Sequence, residues 1–204
     1  MKVKTLSVGE LGTNCYIVTE NGTAVVIDPA DECERIVLAL EGDELSGILL
    51  THGHFDHTGA VNQLKALYGC QVIISAEDEE MLSDNKKNAA FLIGAFPSPI
   101  TADKLVKDGD TIEIGSLSFE VISTPGHTKG SVTYKIDDSL FTGDTLFKGT
   151  VGRCDLYGGN SARLIESLEK LATLDDSFKV YPGHDQKTTI GYEKQTNYYM
   201  RKRK

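Results

Sequence analysis

Short apolar runs, separated by turns and amphipathic segments, recur along the whole chain. Runs rich in Val, Ile, Thr and Tyr predict β-strands, and Asn21-Gly22 is typical of a hairpin turn between two of them. The first strands are expected at residues 3–7, 15–19, 23–28, 47–50 and 71–75. The second half predicts five more strands, at residues 111–114, 117–122, 131–136, 139–142 and 178–181.

Apolar residues at helical spacing predict helices between these strands. Asp31, with Glu34 three residues later, is typical of a capping box, and Gly42 ends the helix that they open. Thr58 is expected to cap the next helix, which stops at Gly69.

A longer helix is predicted over residues 161–174, capped by Asn160 or Ser161. Its apolar face is expected to consist of Leu164, Ile165, Leu168 and Leu171. Weaker patterns indicate short helices at residues 77–83 and around residues 191–198.

Strand-rich segments and amphipathic helices alternate in both halves, although no sequence repeat relates the halves. Two sheets packed face to face with helices outside is the economical way to bury these elements. The 204 residues fit one domain, which we expect to span residues 1–204 with a mixed α/β (α+β) fold.

Four potential metal ligands, His52, His54, Asp56 and His57, lie within the segment THGHFDHTG, directly after an apolar run. A strand would direct three of these side chains to one face and His57 to the other, whereas a loop with glycine pivots can fan them in two directions. The cluster therefore predicts two adjacent metal sites rather than a polar turn that happens to be rich in histidine. Imidazole and carboxylate ligands suit Zn, Fe or Mn.

The two remaining histidines of the chain, His127 and His184, each follow an apolar run and a Pro-Gly pair. Asp144 follows a glycine in a similar turn, LFTGDTLF. Because each of these residues lies just past the end of an apolar run, on a loop, they can converge with the first cluster at one rim of the fold.

An HxHxDH motif followed by a distant His, an Asp after Gly and a last His resembles the metallo-β-lactamase superfamily, in the order and spacing of its glyoxalase II-like hydrolases. The resemblance runs from Asp28 to His184 and implies a four-layer αββα sandwich. It implies one metal ion on His52, His54 and His127, and a second ion on the ligands Asp56, His57 and His184. Asp144 would bridge the two ions, and Asp28 would support the HxHxDH loop.

This ligand set predicts hydrolysis by a metal-bound hydroxide, with two divalent ions, most simply Zn, and with Asp56 and Asp144 as catalytic carboxylates. Two divalent ions, less both carboxylates and the hydroxide, leave a charge of roughly +1, which suits a small anionic substrate. Every histidine is used as a ligand, so no Ser-His-Asp or Cys-His nucleophile is needed. The expected substrate is a thioester or related ester.

Other activities fit parts of the same pattern. A mononuclear iron oxygenase resembling persulfide dioxygenases would use His52, His127 and Asp144, and the segment 152–155 resembles their GRxD stretch. A lactonase or phosphodiesterase of the same superfamily would use the full ligand set. A nuclease is disfavoured because no RNA-binding insertion is visible, and a non-catalytic metal-binding module is disfavoured by seven ligands.

Two stretches are candidates for the walls of the substrate pocket. Residues 147–159 include Lys148, Arg153 and Tyr157, which could meet a carboxylate. Residues 88–99 are apolar and could form a lid, a pocket wall or a plain surface loop. Glyoxalase II has an extra helical region after its last His ligand that helps hold glutathione, and only about twenty residues follow His184 here.

The overall charge of −9 argues against nucleic acid or an anionic membrane as the main partner. No stretch approaches a membrane span or a signal sequence, and the oligomeric state is not indicated. The basic tail, residues 201–204, is expected to be a solvated end. The chain has four cysteines, Cys15, Cys33, Cys70 and Cys154, and they form no CxxC motif. This predicts reduced thiols in a cytoplasmic protein, although Cys154 lies near the ligand loops.

Overall fold

A six-stranded sheet forms most of the first half of the protein in the computed structural model, which describes residues 1–201. Its strands lie side by side in chain order: β1 (Lys2–Val8), β2 (Thr13–Glu20), β3 (Thr23–Ile27), β4 (Glu44–Leu49), β5 (Gln71–Ser75) and β6 (Lys104–Val106). Two α-helices connect the parallel strands: α1 (Cys33–Ala39) between β3 and β4, and α2 (Val61–Tyr68) between β4 and β5.

A second six-stranded sheet forms most of the second half. In chain order, the strands of this sheet are β7 (Thr111–Ile114), β8 (Leu117–Ser123), β9 (Val132–Ile136), β10 (Ser139–Gly143), β13 (Lys179–Pro182) and β14 (Thr188–Thr189). Between β10 and β13 lie a hairpin of β11 (Leu146–Phe147) and β12 (Thr150–Val151) and the helix α3 (Ser161–Leu171), and α4 (Ile190–Thr196) follows β14. The order across this sheet is β14-β13-β10-β9-β8-β7, with the hairpin set apart.

The two sheets pack face to face, because alternate residues of their strands point into one shared apolar core. Tyr16 and Leu49 from the first sheet enter this core, as do Phe119, Tyr134 and Phe141 from the second sheet. Strand β2 is almost entirely buried, since its other face is also covered.

The outer faces of the sheets are covered by helices. Ile17 and Ile48 of the first sheet contribute to a cluster with Ile36 of α1 and Leu64 of α2. On the second sheet, Leu140 and Val180 form a cluster with the apolar side of α3: Leu164, Leu168 and Leu171. The predicted αββα layering is therefore confirmed.

The functional edge of the molecule is defined by where the parallel strands end. Strands β3, β4 and β5 are parallel, so the segments that follow Ile27, Leu49 and Ser75 leave the first sheet at the same edge. Strands β10 and β13 are also parallel, and the segments after Gly143 and Pro182 leave the second sheet together.

Both predicted helix caps in the first half are wrong. Glu32 precedes α1 with a left-handed backbone (φ 55°) and no side-chain cap, while the Asp31 carboxylate accepts the N–H of Glu32 itself. Ala60 precedes α2, and the hydroxyl of Thr58 donates to carbonyls of an earlier turn, those of His54 and Phe55. In each case the polar side chain bonds to the backbone of the turn before the helix, so it does not cap the helix.

Other differences from the sequence prediction are local. The helix predicted at 77–83 is a 3-10 turn, Glu79–Ser83, and α3 ends at Leu171. Asn160 caps α3 by accepting the N–H of Arg163, but Ile165 is 37% exposed and lies outside the buried face of α3. Four short strands escaped prediction: Lys104–Val106, Leu146–Phe147, Thr150–Val151 and Thr188–Thr189.

Three of the four tail residues, 202–204, lie outside the described residues. Within residues 1–201, none of the helices has the length and apolar character needed to cross a bilayer.

Leu168 and Ile165 on α3 are similar in size but differ in burial, so their replacement tests which face of the helix is buried. Leu168→Ala should lower the free energy of unfolding by about 2–5 kcal/mol, because Leu168 is fully buried against the second sheet. Ile165→Ala should cost less than about 1 kcal/mol, since much of that side chain is already in water. Urea denaturation of both variants measures the difference, and equal losses would contradict the assigned face.

Candidate metal centre

Five imidazoles and two carboxylates that the sequence singled out lie together at the edge where the strands end. The segment after β4 carries His52 and His54, and a 3-10 turn at Phe55–His57 carries Asp56 and His57. The second sheet contributes the remaining three, each from a loop after a strand: His127 after β8, Asp144 after β10 and His184 after β13.

One group of imidazoles is fully buried. Ligand-capable nitrogens of His52, His54 and His127 all lie within 4.8 Å of one another. Nδ1 of His54 and Nε2 of His127 are 2.9 Å apart. This spacing and burial make the group suitable for holding one metal ion.

A second group lies on the other side of the centre and is more open. Ligand-capable atoms of Asp56, His57 and His184 lie within 4.8 Å of one another. Oδ2 of Asp56 is 3.6 Å from Nε2 of His57 and 3.4 Å from Nε2 of His184. The ring of Phe147 packs edge-on against His184, with 6.0 Å between ring centroids.

Asp144 lies between the two groups. Its Oδ1 is 3.4 Å from Nε2 of His57 in the second group, and its Oδ2 is 3.5 Å from Nε2 of His127 in the first. Oδ2 is also 3.7 Å from Nε2 of His184. One carboxylate therefore faces both groups, Oδ1 the second group and Oδ2 each of them.

The donor set fits divalent cations, because several of its atoms are buried without a hydrogen-bond partner. Within the described residues this holds for Nε2 of His52, His54 and His57 and for Oδ1 of Asp144. Leaving such atoms unpaired is costly in an interior, and metal coordination would satisfy them.

Charge leads to the same conclusion. Burial would lower the pKa of His57, but the carboxylates of Asp56, Asp144 and Asp28 raise it well above its usual value. Burial and the neighbouring imidazole of His127 lower the pKa of His54 to about 3. The carboxylates thus favour positive charge beside His57, whereas His54 stays neutral, and a divalent cation among these groups would supply that positive charge.

A hydrogen-bond relay from Asp28 fixes the orientation of two imidazoles. The Thr51 hydroxyl donates its proton to Asp28 Oδ2 at 2.6 Å. It therefore accepts the Nδ1 proton of His52, which lies 3.0 Å away. Asp28 Oδ2 also lies 3.0 Å from Nδ1 of His57 and accepts that proton. Both rings therefore direct an Nε2 lone pair into the centre.

His127 is oriented by a backbone group that sequence reasoning did not assign. Its Nδ1 donates to the carbonyl oxygen of Arg153 at 2.8 Å, so its Nε2 lone pair also points into the centre. The segment comes this close because Gly152 has no side chain, as a Cβ there would lie 1.9 Å from the carbonyl oxygen of Asp144.

Sequence reasoning also missed the fully buried Asp78. Its carboxylate accepts the N–H groups of Gly53 and Gly130 and the hydroxyl of Thr128, residues that flank three of the imidazoles. The one available signal was position, since Asp78 follows the end of β5 as Asp28 follows the end of β3.

The three predicted substrate contacts lie on the surface, each with a partner. The Lys148 ammonium donates to Gln186, the Arg153 guanidinium pairs with Asp155, and the Tyr157 hydroxyl donates to Glu80. Their contact with a substrate stays a prediction. Burial raises the pKa of the nearby Cys154 thiol, so that group is protonated at neutral pH.

Residues 88–99 are anchored to the centre and expose apolar side chains. The carbonyl of Asn88 accepts the N–H of Phe55, which lies between two of the clustered ligands. Four side chains of this segment are exposed by between 52% and 70%: Phe91, Leu92, Ile93 and Phe96. An apolar surface of this kind is typical of a binding site.

Replacement of one threonine tests the relay from Asp28. Thr51→Val keeps the side-chain shape but leaves His52 Nδ1–H unpaired, so the free energy of unfolding should fall by about 1–3 kcal/mol. Thr5→Val is the matched control, because the Thr5 hydroxyl is buried without a partner and its loss should be neutral or stabilising. Urea titration of metal-free protein measures both, and equal effects would contradict the relay.

Comparisons with known proteins agree with this geometry. The sequence profile of the metallo-beta-lactamase superfamily matches residues 8–184. Hydroxyacylglutathione hydrolase GloC of Haemophilus influenzae is 33% identical, over 98% of this chain and 98% of its own length. The BLEG-1 B3 metallo-beta-lactamase superimposes with a TM-score of 0.92 at 33% identity, covering 98% of this chain and 99% of that one. The di-iron-bound form of TTHA1623 gives 0.88 at 34% identity, covering 97% and 100%. The chain belongs to the metallo-β-lactamase superfamily.

Proposed function

We propose that this protein is a binuclear metal-dependent hydrolase of thioesters or related esters. Enzymes of this superfamily are generally hydrolytic, and GloC, a relative across almost the whole chain, is a hydroxyacylglutathione hydrolase by name. The observation that carries the proposal is the position of Asp144, whose carboxylate lies within 3.7 Å of imidazole nitrogens of both groups of ligands.

In the proposed arrangement the residues divide between two ion positions. His52, His54 and His127 would hold the first ion, Asp56, His57 and His184 the second, and Asp144 would be shared. Two divalent ions, most simply Zn with Fe or Mn as alternatives, would supply Lewis acidity and an acidified water at neutral pH. The di-iron neighbour makes iron a specific alternative.

The chain itself contributes orientation before any substrate arrives. Asp28 and the carbonyl of Arg153 hold the Nδ1 protons of His57 and His127, so those rings need no rearrangement to act as ligands. Thr51 does the same for His52. Such preorganisation means that little reorganisation free energy is spent during the reaction.

Two carboxylates are placed to handle a proton. Asp56 and Asp144 have side chains that are 16% and 12% exposed, so they reach the open side of the centre. Burial would raise the pKa of both, but the neighbouring imidazoles, His57 first, lower it below the usual value. Both groups are therefore ionised at neutral pH and can accept hydrogen bonds from an attacking water.

Metal analysis coupled to a substrate panel tests the proposal. The purified protein should contain close to two ions per chain and should hydrolyse thioesters, with activity lost to a chelator and restored by Zn, Mn or Fe. The panel includes a lactone, a phosphodiester, a β-lactam and a persulfide. A fully active protein holding one iron ion and consuming oxygen with the persulfide would replace the proposal by the oxygenase alternative.

Replacement of the shared carboxylate should differ from replacement of a single ligand. Asp144→Ala should lower the content from about two ions to below one, because both positions lose a ligand. His184→Ala should remove about one ion and leave the first position filled. Asp138→Ala, which removes an exposed aspartate paired with Lys179, is the control and should keep both ions. Unchanged metal content in Asp144→Ala would show that the shared role is wrong.

We expect weak selectivity for the glutathione part of a thioester substrate. The pocket walls available are residues 147–159 and the apolar segment 88–99, and the charged side chains of Lys148 and Arg153 are already paired with Gln186 and Asp155. Since remote contacts improve both KM and kcat, S-lactoylglutathione should be cleaved with modest kcat/KM. Lactoyl thioesters of simpler thiols should be cleaved within about tenfold of that value. A preference of several hundredfold for the glutathione thioester would overturn this prediction.

A further inference from the structure

Asp78 is a buried carboxylate with no place in the proposed chemistry. Its side chain is completely shielded from solvent, at the start of a 3-10 turn that follows β5. Burial raises the pKa of this carboxyl group, and its hydrogen bonds from Thr128 and Gly130 act in the opposite direction. Burying a carboxylate is costly, so a fully hydrogen-bonded one at this place requires an explanation.

The hydrogen bonds of Asp78 reach two loops that are distant in sequence. Oδ2 accepts the N–H of Gly53 at 3.1 Å and the hydroxyl of Thr128 at 2.7 Å. Oδ1 accepts the N–H of Gly130 at 2.7 Å. Gly53 lies between His52 and His54, and Thr128 directly follows His127, so the carboxylate joins the backbones that carry the first group of imidazoles.

The backbone is shaped to allow this close approach. A Cβ on Gly130 would lie 2.6 Å from Oδ1 of Asp78, and a Cβ on Gly53 would lie 2.6 Å from Cβ of Met81 in the adjoining turn. Neither glycine has a left-handed backbone, so each is needed for space and not for its conformation.

Asp28 provides the contrast. It reaches His57 directly and His52 through Thr51, and these rings belong to different positions of the proposed centre. The Asp78 carboxylate bonds to Gly53, Thr128 and Gly130, in the two loops that carry His52, His54 and His127. The two buried aspartates therefore differ in which ions they should affect.

We propose that Asp78 is a positioning residue for the first metal position alone, holding the two loops at the separation at which His52, His54 and His127 share one ion. The inference rests on the proposed binuclear centre. Its consequence is that the affinities of the two positions can be changed independently through a residue that is itself no ligand.

Asp78→Asn tests this, because the amide keeps the shape but has one acceptor oxygen in place of two. Its NH₂ group must then face a backbone N–H, of Gly130 or of Gly53, and that loop is released. In competition titrations of Zn²⁺ against a chromophoric chelator, one of the two affinities should fall 10- to 100-fold while the other stays within about threefold.

Combining Asp78→Asn with a second substitution, His52→Ala or His184→Ala, identifies which metal position is weakened. In His52→Ala protein, whose first position is already impaired, adding Asp78→Asn should change Zn²⁺ binding by less than about threefold. In His184→Ala protein, the remaining ion should be weakened by the same 10- to 100-fold as in the wild type. Asp28→Asn should weaken both positions, and Asp103→Asn, which removes a carboxylate that holds the Val72 N–H far from the centre, should weaken neither.

Thermal unfolding of the metal-free variants separates positioning from general destabilisation. A merely structural Asp78 would lower both affinities together, or neither, and either result would overturn the proposal. If Asp78→Asn does not fold, Thr128→Val removes one of the three hydrogen bonds and should give a smaller loss, at least about threefold, at the same position. Because the titration needs no substrate, absence of thioester hydrolysis would refute the proposed reaction only, whereas wild-type protein that binds no divalent ion would refute the centre itself.

Discussion

Two buried tyrosines tie the sheets together at the edge where the candidate centre lies. Tyr16 in the first sheet donates its hydroxyl proton to the carbonyl of Pro182 in the second, at 2.6 Å. Tyr134 in the second sheet donates in return to the carbonyl of Leu50, at 2.8 Å. Since Pro182 precedes the His184 turn and Leu50 precedes the HxHxDH loop, these bonds set the separation of the loops that carry the ligands. The rings of Tyr16, Phe141 and Tyr181 fill the space between them.

This arrangement explains how ligands from two sheets can meet within a few ångströms. The sheets supply rigid strand ends, and the loops beyond them need only short extensions to reach the centre. Asp28 and Asp78 then hold these loops in place. Asp28 accepts the Nδ1 proton of His57, and Asp78 accepts backbone N–H groups, among them that of Gly130. The cost of burying these carboxylates is offset by full hydrogen bonding and, in the proposed function, by the cations in front of them.

The features that could be predicted from the sequence depend on local pattern or on a compact motif. Alternating apolar residues located most strands, and the HxHxDH motif with His127, Asp144 and His184 indicated the residues that the structure brings together. The cap formed by Asn160 was predictable because its partner, Arg163, is three residues away. Asp78 was not, because its partners lie 25, 50 and 52 residues away along the chain. Ile165 was misassigned because helical spacing alone does not determine where the edge of a buried face lies.

The central claim is that Asp144 separates two ion positions within one centre. Anomalous diffraction from crystals grown with Mn²⁺ or Zn²⁺ tests it most directly, because data collected at the metal edge locate each ion without assumptions about activity. The account predicts two peaks per chain on opposite sides of the Asp144 carboxylate, one among His52, His54 and His127 and one among Asp56, His57 and His184. A single peak in fully loaded crystals, or two peaks that do not share Asp144, would contradict it.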